Sequence, residues 1–165
     1  MKTLLGGKAA SHDGRKTGLP GVIARSGILF AMALMTACSR TPPEHLIVTA
    51  TGNRVVLPVE KMADGNVHFF TFKHGGKNVN FFVRTDGNGR LHTHFDACYG
   101  CYQYKMGYFV EGNDIICRAC RYKYNLDDEI WDYIGACAPI TFKHRIARGI
   151  LQIDVSILQR GARFF

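Results

Sequence analysis

Long hydrophobic runs are missing from this sequence. The apolar stretch from Gly27 to Met35 is shorter than the about 20 residues a bilayer-crossing helix needs. Beyond residue 37 no long apolar stripe follows the helical period of about 3.6 residues, which argues against a helical fold. No nucleophile elbow, phosphate-cradling loop or supported carboxylate pair is present, so hydrolase and kinase chemistries find no machinery. The arginines are scattered rather than gathered into a stripe with interleaved aromatics, so nucleic acid is not an expected partner. A fully paired disulfide framework is also excluded: six cysteines are present, and with Cys38, next to the leader, set apart, the five that remain are an odd number.

What is there divides into a leader, a tether and a domain. The 165 residues are 47% apolar, enough for one domain with a real core. Of the formal net charge of +8, residues 1–37 contribute +4 through Lys2, Lys8, Arg15, Lys16 and Arg25 against Asp13. A basic flank, a short apolar region and small residues before a cysteine are the order of a secretory leader. Met35-Thr36-Ala37-Cys38 resembles a bacterial lipobox. On that resemblance residues 1–37 are a lipoprotein signal peptide and Cys38 is lipidated. The protein is then anchored through lipid on the periplasmic side of the cell envelope, and Ser39 weakly favours the outer membrane. Arg15-Lys16 partly matches a twin-arginine signal, a route that carries folded, metal-loaded proteins. Residues 38–46 form the tether, in which Pro42-Pro43 rules out helix interior.

Residues 47–165 read as all-β. Val67 to Lys73 and Asn78 to Thr85 form the clearest hairpin, joined across Gly75-Gly76, a strong two-residue turn signal. Short strands are also expected at Leu46–Thr51, Val55–Val59, Arg90–Asp96, Gly107–Val110, Ile115–Ile116, Tyr122–Leu126 and Gly149–Leu158, with Lys143–Arg148 a polar loop. Asp127 to Ile134 suits one or two helical turns, its aspartates favouring an N-terminus. Many short strands with glycine-rich turns predict a small sandwich or barrel carrying two cysteine knuckles.

Those knuckles organise the domain. Cys98-x2-Cys101 and Cys117-x2-Cys120 are separated by 15 residues, and Cys137 follows after 16 more. Each pair turns both sulfurs to one side, and the intervening span is long enough for a hairpin that returns the second knuckle to the first. This spacing suits four thiolates on one metal, in a zinc-ribbon-like or Rieske-like arrangement. Zinc, a single iron, an iron–sulfur cluster and cuprous copper all accept four sulfur ligands, and spacing alone slightly favours zinc. Cys137 is an additional ligand or a redox-active thiol. The chain then acts as a redox carrier, as a zinc-ribbon binding module, or in copper handling and dithiol exchange.

The run Phe95-Asp96-Ala97-Cys98-x-x-Cys101, Gly107-Tyr108-x-x-Glu111-Gly112, Ile116-Cys117-x-x-Cys120 and Gly135-x-Cys137-x-Pro139 resembles the membrane iron–sulfur FtrD-like family. Phe69-Phe70, Phe81-Phe82 and the Asp86-Gly87 turn are similar to it as well. The resemblance spans roughly Val55 to Val155. It implies an iron–sulfur centre, electron transfer rather than catalysis, and a redox partner or iron-transport permease. Two positions depart from the family pattern. Arg121 stands where relatives commonly have glycine, and Gly135-Ala136-Cys137-Ala138-Pro139 replaces Gly-Gly-Cys-Asn-Pro. The Rieske outline departs too, since Cys101 and Cys120 occupy the places of its histidines.

His92 and His94 share one face of a predicted strand. They would line a proton path or bind a second metal if buried, but the simpler expectation is two solvated histidines. Tyr99, Tyr102, Tyr104, Tyr108, Tyr122 and Tyr124 crowd the knuckles and are expected either to shield the centre or to serve as ordinary core and edge aromatics. Asp96 is placed to cap the first knuckle through an amide.

Overall fold

Strand-forming residues dominate the parts of the chain that the computed structural model describes, 43–128 and 137–165. The expected signal peptide, Cys38, the start of the expected tether, Gly135-Ala136 and most of the expected helical segment after Asp127 lie outside the described residues.

A five-stranded sheet is central. It contains β1 (Leu46–Val48), β3 (His68–His74), β4 (Lys77–Thr85), β5 (Leu91–Cys98) and β9 (Pro139–Thr141), in the order β1-β3-β4-β5-β9. Only β1 runs parallel to its neighbour among these pairs. A second sheet has the order β10-β11-β2, from Arg145–Ala147, Ile150–Asp154 and Arg54–Pro58. A third has the order β6-β7-β8, from Tyr108–Glu111, Asp114–Cys117 and Lys123–Asn125. The β3–β4 hairpin turns at Gly75 and Gly76, with φ of 55° and 73°, the left-handed pair that a two-residue hairpin turn demands.

The two phenylalanine pairs explain why the central sheet is covered on both faces. Side chains alternate along a strand, so Phe70, Phe72, Phe81 and Val83 face one way and Phe69 and Phe82 the other. The first set packs with Phe95, Phe142, Val55, Leu151, Ile153 and Leu158 against the second sheet. The other set packs with Tyr108, Ile115, Leu126, Cys98 and Cys117 against the third sheet. The thiol knuckles therefore grow out of the smaller of two cores.

Three sequence expectations need correction. Gly149–Leu158 is not one strand: β11 ends at Asp154 and a helix, α1 (Val155–Gly161), follows. Val155 and Leu158, three apart, turn inward together, a helical spacing that the alternating run before it masks. The polar loop Lys143–Arg148 contains β10, whose partner β11 supplies its hydrogen bonds. β9, at Pro139–Thr141, was not expected as a strand at all. Its pairing with β5 spans more than forty residues of sequence, and nothing local marks it. Among the described residues no helix is long and apolar enough to cross a membrane.

Candidate metal centre

β5 and β7 each end on the first cysteine of a knuckle. Beyond Cys98 the chain closes a tight turn, with Cys101 N donating to Cys98 O at 3.1 Å and Tyr104 N to Cys101 O at 3.0 Å. Beyond Cys117 the second turn closes through Arg121 N to Cys117 O at 2.9 Å. The two knuckles are pinned together where Arg118 N donates to Gly107 O at 3.0 Å. The result brings the Sγ atoms of Cys98, Cys101, Cys117 and Cys120 all within 4.8 Å of one another.

Burial is graded across the four. Cys98 and Cys117 are buried, Cys101 is half-buried and Cys120 is exposed. Backbone amides of Ala119 and Cys120 point at the Cys117 sulfur, and the Tyr122 amide at the Cys120 sulfur. Burial pushes the Cys101 thiol up to about 11, and the neighbouring Cys98 and Cys120 sulfurs add to the shift. Cys117 is raised to about 12, again chiefly by burial. Cys120 moves down: burial opposes the shift, but the Tyr122 amide and the Cys117, Cys137 and Cys101 thiols outweigh it by hydrogen bonding. Without a cation, then, one sulfur ionises readily and its neighbours resist, because burial disfavours their thiolates and like charges packed this closely repel. A bound metal cation removes that conflict, so the donor set fits a thiolate-bound metal. A metal–sulfur bond of about 2.3 Å places tetrahedral ligands about 3.8 Å apart, a spacing the tetrad accommodates around a single ion.

Cys137 lies beside this group rather than within it. Its thiol is within hydrogen-bonding reach of Cys120 and Cys98, and the hydrogen bond with Cys120, followed by burial, raises it to about 11. The route to the centre is β9. Cys98 pairs with Pro139 across an irregularity in the β5–β9 register, and Tyr99 N donates to Ala138 O at 3.0 Å. The Cys137 carbonyl accepts from the Tyr108 hydroxyl at 2.9 Å and from the Cys98 thiol at 3.4 Å.

The tyrosines around the knuckles differ in burial. Tyr108 is fully buried against the sulfurs, while Tyr99, Tyr102, Tyr104 and Tyr122 are exposed. Shielding therefore falls to Tyr108, with the half-buried Tyr124 packed beside it, because the other four sit on the outward faces of the turns. Burial and the neighbouring Cys98 raise the Tyr108 hydroxyl well above the usual phenol range.

Asp96 uses its carboxylate differently from expectation. It accepts from Tyr108 N at 2.6 Å and contacts His45 Nε2 at 3.1 Å, so it fastens the start of β6 and the residue before β1 instead of its own knuckle. Gly107 makes room for it: φ is +65°, and a Cβ there would lie 2.5 Å from the Asp96 carboxylate. His45 was not singled out by any local pattern, since its partner lies 51 positions away.

Arg121 adopts φ 62°, the left-handed conformation that glycine takes without strain. Its guanidinium lies 5.0 Å from the centroid of Phe109, as does that of Arg118. His92 and His94 do share a face, with rings 6.4 Å apart, but they are not solvated. His94 is fully buried and stacks on Phe82 at 5.1 Å, while His92 reaches Asp86 at 3.0 Å. β9 and the chain after it cover this end of β5, with Thr141 Oγ1 at 3.1 Å from His94 Nδ1 and His144 at 3.0 Å from Thr93 Oγ1.

An all-β scaffold with four converging thiols defines a thiolate metal-binding protein. The model of a family described as membrane iron–sulfur containing protein FtrD-like matches residues 62–165. The chain belongs to this FtrD-like family. No curated protein matches the sequence. Among solved structures, the chain is similar to the quaternary ammonium Rieske monooxygenase CntA in complex with an inhibitor. The TM-score is 0.41 at 16% identity, over 68% of this chain and 31% of that one. The chain thus spans about a third of that enzyme's length.

Proposed function

We propose that Cys98, Cys101, Cys117 and Cys120 hold iron, and that the protein carries electrons at the periplasmic side of the cell envelope in connection with iron transport. The observation that carries this is the convergence of the four sulfurs within 4.8 Å, buried at one side and open at Cys120. Bound iron would supply a one-electron couple. The chain's own residues set its surroundings: the amides aimed at Cys117 and Cys120 favour the more negative, reduced state. The exposed Cys120 edge leaves a short path to a partner. The family description supports an iron–sulfur cluster, while the spacing suits one ion. Lipidation at Cys38 completes this reading and would hold the domain at the membrane surface.

Protein purified without oxygen is expected to contain iron and to absorb in the visible. Acid-labile sulfide in proportion to iron would identify a cluster, and its absence a single ion. A colourless protein with one zinc per chain would overturn electron transfer and leave a structural zinc site.

A further inference from the structure

A groove of about 480 Å³ lies between β9, the segment after it and α1, a size within the range of about 300–1,000 Å³ usual for small-molecule sites. Its floor is apolar: Phe95, Phe142, Ile157 and Phe164 line it. Lys143, Arg160 and Arg163 line it as well, and all three are exposed. No acidic side chain among the described residues lines the groove. No carboxylate among the described residues forms an ion pair with any of the three cations. The Arg163 guanidinium lies over Phe164, 4.7 Å from the ring centroid.

Unpaired cations over an apolar floor match a ligand with the opposite arrangement. Burying the tail removes apolar surface from water, and the head gains charge-assisted hydrogen bonds that arginine forms well with carboxylate or phosphate oxygens. Neither half of the groove explains the other without such a ligand: a purely apolar guest leaves the cations unused, and a free inorganic anion leaves the floor uncovered. We infer that this groove, separate from the four thiols, binds an amphiphile with a single acyl or alkyl chain and an anionic carboxylate or phosphate head. The ligand comes either from solution or from a bilayer.

The test uses the full chain with its metal, titrated calorimetrically with dodecanoate below its micelle concentration. Dodecyltrimethylammonium and inorganic phosphate serve as controls. Dodecanoate is expected to bind at one site, with both controls at least tenfold weaker. Arg160→Glu combined with Arg163→Glu should weaken it at least tenfold, and Ile157→Trp should occlude the floor. The exposed charge variants keep metal content and circular dichroism, which separates lost binding from lost fold. Uptake of labelled dodecanoate from solution assigns a free ligand. Sedimentation with phosphatidylglycerol but not phosphatidylcholine vesicles, abolished by the same charge reversals, assigns a bilayer source. Equal binding of the cationic and anionic chains, or binding indifferent to charge reversal, would overturn the inference.

Discussion

Tyr108 is buried at the thiol centre, with its hydroxyl on the Cys137 carbonyl and within hydrogen-bonding reach of the Cys98 sulfur. The hydroxyl has one hydrogen: here the Cys137 carbonyl takes it, and turned to the Cys98 sulfur, once a bound metal has displaced the thiol proton, it would stabilise the more negative reduced state. Tyr108→Phe removes that donor while keeping the ring. The reduction potential is expected to fall by about 60 mV, which for a one-electron couple is a tenfold change in equilibrium constant; protein-film voltammetry reads it directly. An unchanged potential would remove Tyr108 from tuning and leave it as packing. Arg121 offers a test of backbone strain. Left-handed backbone costs a side-chain-bearing residue about 1–2 kcal/mol, and its contact with Phe109 returns about 0.5–1 kcal/mol. Arg121→Gly should therefore lie within about 1 kcal/mol of neutral in chemical denaturation, whereas the β-branched Arg121→Val should lose about 2 kcal/mol. The sequence marked this position as a departure from its relatives. It did not show which way the guanidinium turns, because Phe109 reaches it through the pairing of β6 with β7.

β5 is the element that connects both cores to the centre. Its burial on both faces pulls the His94 pKa down to about 3, with desolvation first and the charges of His92 and His144 adding to it. His144 is lowered too, by burial and then by His92, while hydrogen bonds from His92 and Arg90 hold Asp86 low against the opposing effect of its burial. The sign for His94 follows from linkage. The unfolded chain takes up a proton near pH 6.5 and the folded one does not until about 3, so stability is complete above the unfolded value and falls as pH drops through that window. Denaturation midpoints should decline from about pH 6.5 downward, and a His94→Gln variant should flatten the slope. The same element shows where local reading fails. Alternation located β5 and placed His92 and His94 on one face. Whether that face meets water depends on β9, which arrives from a distant part of the chain. The first four residues of α1 read as strand in the sequence for a related reason: the helix's seven residues hold too few turns for a periodic signal. Leu158, fully buried in α1, tests it, since Leu158→Ala should cost about 2–5 kcal/mol in denaturant unfolding.

At the scale of the molecule, stability is divided between the larger core and the sheet that carries the centre. A sheet of strands three or four residues long needs a covered hydrophobic face to persist, so β6, β7 and β8 depend on the packing of Tyr108 and Ile115 and on whatever the thiols bind. A structural tetrathiolate metal contributes on the order of 10 kcal/mol. Stripping the metal with a chelator should lower the melting temperature by more than about 10 °C, with hydrogen exchange rising first in Tyr108–Asn125. Exchange that rises equally in the β2–β11 sheet would show one cooperative unit instead.

By itself the sequence determined the all-β character, the central hairpin and the four sulfurs, because each is written in short-range terms: alternation, a Gly-Gly turn and paired C-x2-C knuckles. The tertiary structure alone decided that the central sheet is covered on both faces, that Tyr108 rather than its exposed neighbours shields the sulfurs, and that Cys137 sits beside the tetrad. It also decided that α1 and β9 enclose a cationic groove. Each of these rests on contacts between residues far apart in the chain, whose partners are chosen by burial of the whole surface and leave no mark on any one segment.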